Sequence, residues 1–172
     1  MKKTDKIYVA GHSGMTGSAI VRLLKNKGYT NIVGKTHREL DLTNQADVEA
    51  FFQKEKPEYV FLVAAKVGGV GLRARMPAAL IMENELIQCN VIGSAYRYDV
   101  KKLVFLGSSC VYPSACPQPM KEEYLLTGPL EPINEAYALA KISGLKLCQY
   151  YNIQYDTRYL SVMPCTIYGP GG

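Results

Sequence analysis

The sequence predicts an α/β fold, a doubly wound parallel sheet with helices on both faces. Three observations carry this: short apolar runs alternate with longer segments of helical period, the runs contain few polar residues, and the alternation extends along the chain. Strands are expected at "KIYVA" (6–10), "NIVGK" (31–35), "YVFLVAA" (59–65), "KLVFLG" (102–107) and "YLSVMP" (159–164). Helices are expected at about 16–27, 44–54, 77–98 and 135–155, so the order is β-α-β-α-β with further units following. The length, 172 residues with 48% hydrophobic, suits one compact domain.

The first strand runs into "AGHSGMTGSAIVRLL", with glycines at 11, 14 and 17. In a G-x-x-G-x-x-G turn between strand and helix, glycine permits the tight bend, brings backbone N–H groups close to a pyrophosphate, and lets the helix pack tightly on the sheet. The helix N-terminus then favours negative charge. With a βαβ unit of about thirty residues around it, this turn predicts dinucleotide binding by Gly11, His12, Ser13, Gly14, Met15, Thr16 and Gly17. The following helix carries Ile20, Val21, Leu23 and Leu24 as an apolar stripe toward the sheet.

After the second strand the chain reads "NIVGKTHRELDLTN". A carboxylate at this strand end would bind a ribose 2′-OH, whereas basic groups would accept a 2′-phosphate. Lys35, His37 and Arg38 come before any ribose-binding acid, which favours NADP(H) over NAD; Asp41 and Leu42 are placed on the adenine side.

The fourth strand ends in "LGSSCVYPSACPQPM" (106–120), with Ser108 where open α/β sheets place ligands. The irregular stretch from Tyr112 to Asn134 holds five prolines, at 113, 117, 119, 129 and 132; loops of that length in compact domains are usually functional. The last long helix contains "NEAYALAKISG", in which Tyr137 and Lys141 lie four residues apart and share one helical face. A cation beside a tyrosine lowers its pKa toward the range useful for proton transfer, and the hydroxyl of Ser108 could bind the same substrate oxygen.

Charge and cysteine content exclude other classes. Twenty Lys and Arg against 15 Asp and Glu give a net charge of +5, but the basic residues are scattered, which argues against nucleic acid. No signal-peptide core precedes Gly11 and no run of about 18 apolar residues occurs, so a cytoplasmic protein is expected. The five cysteines are odd in number and lack metal spacing, so neither a disulfide framework nor a metal site is expected. Cys89, Cys148 and Cys165 read as small buried apolar groups.

The glycine turn, Asp41-Leu42, "LVAAKVGG" (62–69), Ser108, Tyr137 and Lys141 together resemble the extended short-chain dehydrogenase/reductase family of nucleotide-sugar enzymes. Within it, "AAKVGGV", "FLGSSCVYP", "NEAYALAKISGLKLC" and "SVMP…YGP" resemble the GDP-4-keto-6-deoxymannose epimerase-reductases in order and spacing. The resemblance implies a Rossmann-like NADP-binding domain over 1–172 and NADPH-dependent conversion of GDP-4-keto-6-deoxy-D-mannose to GDP-L-fucose, by 3,5-epimerisation and then 4-keto reduction. It further implies that Tyr137 protonates the C4 oxygen with help from Ser108, and that Lys141 assists Tyr137 and holds the nicotinamide ribose. Cys110 becomes the acid/base at C3 and C5. Leu106, Gly107, Ser108 and Ser109, and Pro164, Cys165, Thr166 and Ile167, fall on the nicotinamide side.

The resemblance also places a histidine partner for Cys110, and the part that binds the GDP-sugar, beyond "IYGPGG" and outside these 172 residues. It implies a homodimer through the two long helices. Two departures stand out: Cys165-Thr166 where the pattern has Thr-Asn, and Arg73 with Arg75 in "GLRARMPA", a segment otherwise less basic and read here as surface. Two other readings stay open: another NAD(P)-dependent nucleotide-sugar epimerase or dehydratase, or a non-catalytic dinucleotide-binding fragment.

Overall fold

The computed structural model describes residues 1–170. Five parallel strands form one sheet in the order β2-β1-β3-β4-β5: β1 is Ile7–Ala10, β2 Ile32–Val33, β3 Tyr59–Leu62, β4 Lys102–Leu106 and β5 Tyr159–Val162. The connecting helices are α1 (Met15–Asn26), α2 (Gln45–Glu55), α3 (Val70–Arg75), α4 (Pro77–Arg97) and α5 (Glu135–Tyr155). The expected strands are present, each shorter than expected, and the four long helices fall within one residue of their expected bounds. β2 keeps only two residues, because at Gly34 the chain already turns against the ring of His12, where a Cβ would come within 2.4 Å of Cγ.

Local chemistry fixes the helix ends. Asn44 caps α2, its side-chain oxygen accepting from the N–H groups of Ala46 and Asp47. Pro77 opens α4, where the missing N–H costs nothing. No apolar periodicity announces α3, six residues within the glycine-rich "VGGVGLRAR".

Strand residues alternate between two layers. Tyr8, Ala10, Val60, Leu62, Leu103 and Phe105 meet Val48 and Phe52 of α2, Val91, Ile92 and Ala95 of α4, and Cys148 of α5. On the other face Ile7 and Val9 pack under Ile20, Val21 and Leu24 of α1, while Leu23 of the expected stripe points to solvent. Fully burying such side chains stabilises the fold by about 1.5–3 kcal/mol each.

Helices lie on both faces, yet unevenly. Among the described residues α1 is the only helix on its side, and it covers the β1 half. Over β4 and β5 that face is bare, leaving Leu160 51% and Val162 43% exposed. The irregular stretch after β4 has a small core of its own, in which Val111 and Tyr112 pack on Ile142 with Cys116, Tyr124 and Leu130 around them. All five cysteines are free; Cys148 is buried as expected, but Cys89 and Cys165 are exposed, since one lies on the outer side of α4 and the other beyond the end of β5.

Candidate active site

Because α1 leaves β1 on one face and α2 and α4 cover the other, the chain direction reverses between β1 and β3. The carboxyl ends of those strands therefore open into a crevice. A cleft of about 570 Å³ lies there, running from the glycine turn past the ends of β3 and β4 to Tyr137 and Lys141. At its closed end the backbone approach is tight. Gly11 has φ +87°, and a Cβ on it would meet Ala64 N at 2.7 Å; a Cβ on Gly17 would lie 2.0 Å from Gly11 O, so no side chain fits where α1 meets β1. At Gly14 a Cβ would meet only Gly11 O, at 3.6 Å, and would otherwise stand in the open cleft. That free space beside the first turn of α1 is what a pyrophosphate needs, so the residues present fit a dinucleotide.

The basic end of the cleft is formed by Lys35 and His37. Lys35 Nζ lies 3.8 Å from Glu39 Oε1, and Glu39 is held in turn by the Thr36 N–H and hydroxyl, hydrogen bonds that keep its carboxyl below the usual range. Asp41 also lines the cleft, but its Oδ1 accepts from Thr43 N at 2.9 Å and Thr43 Oγ1 at 2.8 Å, which holds its pKa down. That oxygen is already engaged, which weakens any claim on a ribose hydroxyl. Arg38 is exposed outside the cleft, and His12 turns its ring away from it, onto Gly34, with Nδ1 buried and unpartnered.

The wall after β3 was missing from the expected site. Ala64, Ala65, Lys66 and Val67 line the cleft, and Asn84 of α4 holds them there: Asn84 Oδ1 accepts from Lys66 N at 2.9 Å while its Nδ2 donates to Lys66 O at 2.9 Å and Leu80 O at 2.7 Å. Lys66 then pairs with Glu83 at 3.1 Å across the rim. The strand-end rule that singled out Ser108 applies equally to β3 and could have found this segment.

At the far end α5 brings Tyr137 and Lys141 to the end of β4. Lys141 is buried, its Nζ donating to Leu106 O at 2.7 Å and standing 4.8 Å from the Phe105 ring centroid. Burial pulls its pKa down to about 8. It lies 5.8 Å from the Tyr137 ring centroid, on the shared face that the spacing predicted. The expected lowering of the Tyr137 pKa does not follow. Burial raises it first, Cys110 adds to the rise, and Arg73 opposes it. The ammonium of Lys141 gives one of its donors to a backbone carbonyl and none to the phenol, which is left protonated in the neutral range.

Ser108 and Cys110 sit on the turn after β4. Ser108 Oγ accepts from Cys110 N at 3.2 Å and so caps the single 3-10 turn Ser109–Val111, which brings Cys110 to face Tyr137. Gly107 N donates to Val162 O at 2.8 Å and Ser109 N to Pro164 O at 3.1 Å, tying this turn to the segment after β5. Leu106 lines the cleft; Pro164 is half-buried outside it, held to the turn through its carbonyl, and Cys165, Thr166 and Ile167 are exposed. Arg73 was read as a surface charge and is not one. Its Nε donates to Gly68 O at 2.8 Å, its Nη1 donates to Asn134 Oδ1, and its guanidinium carbon lies 5.6 Å from the Tyr137 ring centroid. Only the fold brings α3 against the head of α5, so no local pattern could reveal this.

Comparison with known proteins agrees with this geometry. The chain is 60% identical over 168 residues to GDP-L-fucose synthase 1 of Arabidopsis thaliana, covering 98% of this chain and 52% of the plant protein. It is 50% identical over 166 residues to GDP-L-fucose synthase of Escherichia coli (strain K12), covering 96% of this chain and 52% of that one. The chain thus spans about half the length of the curated relatives it matches. Among solved structures, GDP-mannoheptose C4 reductase from Campylobacter jejuni with NADP bound superposes with a TM-score of 0.96 at 46% identity, over 98% of this chain and 54% of that one. A GDP-L-fucose synthetase from Naegleria fowleri bound to NADP gives 0.91 at 29% identity, over 99% and 56%. Residues 7–172 match the model of a single family, and by that match the chain belongs to the NAD dependent epimerase/dehydratase family.

Proposed function

We propose that this chain is the NADP-binding, proton-transferring part of an enzyme that epimerises GDP-4-keto-6-deoxy-D-mannose at C3 and C5 and then reduces C4, giving GDP-L-fucose. One observation carries the reading: the glycine turn, a basic rim at Lys35 and His37, and the Tyr137–Lys141 pair share one cleft of about 570 Å³. The sugar's identity rests on the relatives of 50–60% identity that are named GDP-L-fucose synthase. The C. jejuni GDP-mannoheptose reductase, at 46%, favours a GDP-heptose as the second reading.

A bound reduced nicotinamide would supply the hydride that the C4 carbonyl accepts. Gly11 to Gly17 would hold the pyrophosphate and Lys35 with His37 the 2′-phosphate. Lys141, with a pKa of about 8, keeps most of its charge at neutral pH and would donate to the nicotinamide ribose. The Tyr137 phenol, kept protonated by burial, would give its proton to the C4 oxygen as that oxygen gains charge. Ser108 accepts a backbone N–H and still has its own O–H to offer the same oxygen. The C4 ketone acidifies the hydrogens at C3 and C5, and Cys110 beside Tyr137 is the group we assign to move them.

Two further expectations belong to the same reading. A homodimer would bury Met82, Leu86 and Tyr96 of α4 with Leu139, Tyr150 and Ile153 of α5, which are exposed at helical spacing. A reducing, cytoplasmic setting agrees with five free thiols. The test is a pair of measurements on this chain: titration with NADPH and NADH, and incubation of the keto-sugar in deuterium oxide. Tighter NADPH binding that Lys35→Glu abolishes, with deuterium entering C3 and C5, supports the proposal. NADPH binding without exchange or reduction would instead leave a dinucleotide-binding module.

A further inference from the structure

Of the groups around Tyr137, one is explained by neither the dinucleotide nor the sugar chemistry. Arg73 reaches from α3 to the head of α5, and three contacts fix it there: Gly68 O behind, Asn134 Oδ1 to the side, and the Tyr137 ring 5.6 Å from the guanidinium carbon. We propose that Arg73 is a positioning residue for Tyr137, holding the ring between α3 and α5 and keeping beside it a positive charge that, unlike that of Lys141, persists at alkaline pH. The inference rests on the proposed role of Tyr137 as proton donor.

The ionisable groups that face the ring are Arg73 from α3, Cys110 from the turn after β4, and Lys141 one turn along α5. They are not equivalent. Lys141 Nζ lies 5.8 Å from the ring centroid but is bound to Leu106 O, and burial makes it give up its proton at about pH 8. A guanidinium keeps its charge at every pH at which the protein is folded. Cys110, once ionised, would repel a phenolate. Arg73 is therefore the cation that remains when Tyr137 has released its proton, and the hydrogen bonds at both ends of its planar fork keep it from swinging into solvent. Without it the phenolate would form beside Cys110 in a half-buried pocket, with Lys141 neutral at alkaline pH.

The test follows Tyr137 directly. Chain labelled with 13Cζ tyrosine is titrated by NMR, with Tyr137→Phe identifying the resonance, for the native sequence, Arg73→Lys and Arg73→Gln. Gln keeps a donor for the Gly68 and Asn134 contacts and removes the charge. At this separation a lost unit charge should raise the midpoint by about half a pH unit to one unit in Arg73→Gln, whereas Arg73→Lys, whose ammonium is itself lost over the same alkaline range, is compared at pH 8, where it should keep the native reactivity. Should the fold give way before the transition completes, the same order is read at pH 8 from nitration of Tyr137, which proceeds through the phenolate and should be about three- to tenfold slower in Arg73→Gln. An unchanged Tyr137 in Arg73→Gln, or a nitration rate at pH 8 as far below native in Arg73→Lys, overturns the proposal. Neither measurement uses substrate or dinucleotide, so a chain in which Tyr137 responds but no exchange or reduction occurs refutes the functional reading and not this one.

Discussion

Lys141→Met replaces a buried ammonium by an apolar chain of similar length, and its effect on stability should depend on pH in a way that few substitutions do. A lysine releases its proton near pH 10.5 when exposed, and in the folded chain at about 8. Below pH 8 both states hold the proton and folding bears the whole cost of burying the charge, roughly 3 kcal/mol. Between 8 and 10.5 the unfolded chain binds more protons than the folded one, so native stability rises with pH; above 10.5 the cost is gone. Methionine never incurs it. It does forfeit the hydrogen bond to Leu106 O, about 1–1.5 kcal/mol. Lys141→Met should therefore be more stable than the native chain by about 2 kcal/mol at pH 7, and no more stable, or slightly less, by pH 10.5. Urea unfolding of both proteins at half-unit steps from pH 6.5 to 10.5 measures the difference. An advantage that is flat across that range would refute the argument that burial sets the state of Lys141. NADPH binding should weaken in the variant at every pH, which would show a group retained at a cost in stability for what it does in the cleft.

Three other substitutions separate packing from binding. Gly17→Ala should cost about 1–3 kcal/mol or more in urea unfolding, because its Cβ would stand 2.0 Å from Gly11 O; Gly14→Ala should leave stability within about 0.5 kcal/mol and weaken NADPH, and equal effects at the two positions would sink this reading of the turn. Asn84→Ala removes three hydrogen bonds at a buried position and should cost about 2–3 kcal/mol, with faster proteolysis after Lys66; an intact loop would mean that Lys66 needs no clamp. Leu160→Lys, on the bare face over β5, should reduce light scattering by the chain at high concentration with a stability change within about 0.5 kcal/mol, and unaltered scattering would show that this face is not what associates.

Much of this architecture was legible because it depends on period. Strands such as "YVFL" and "KLVFL" and the long helices over Pro77–Arg97 and Glu135–Tyr155 are set by the repeat of apolar residues, and the glycine turn is set by sterics that three residues announce. What was not legible depends on neighbours distant in sequence. β2 shortened because Gly34 meets His12, and Arg73 left the surface because α3 docks beside Asn134. The spacing of Tyr137 and Lys141 was right, but the direction of the Tyr137 shift was not, since a four-residue interval says that two side chains share a face and nothing about a carbonyl waiting at the end of β4. Exposed Cys89 shows the same limit, because a helix turns some apolar positions outward whatever their type.

The wholly parallel sheet also sets how the chain must reach its native state. Even the nearest partners in sequence, Ile7 and Ile32, are 25 residues apart, and Leu103 finds Tyr159 across 56. Among the described residues no hairpin exists to start from, so each strand pairing must first close a long loop, and high contact order of this kind goes with slow folding. The helices can form locally and early; the sheet cannot. The cleft, whose walls come from the ends of β1, β3 and β4 together, should be among the last features to appear, and recovery of dinucleotide binding after dilution from urea should lag behind recovery of helical signal.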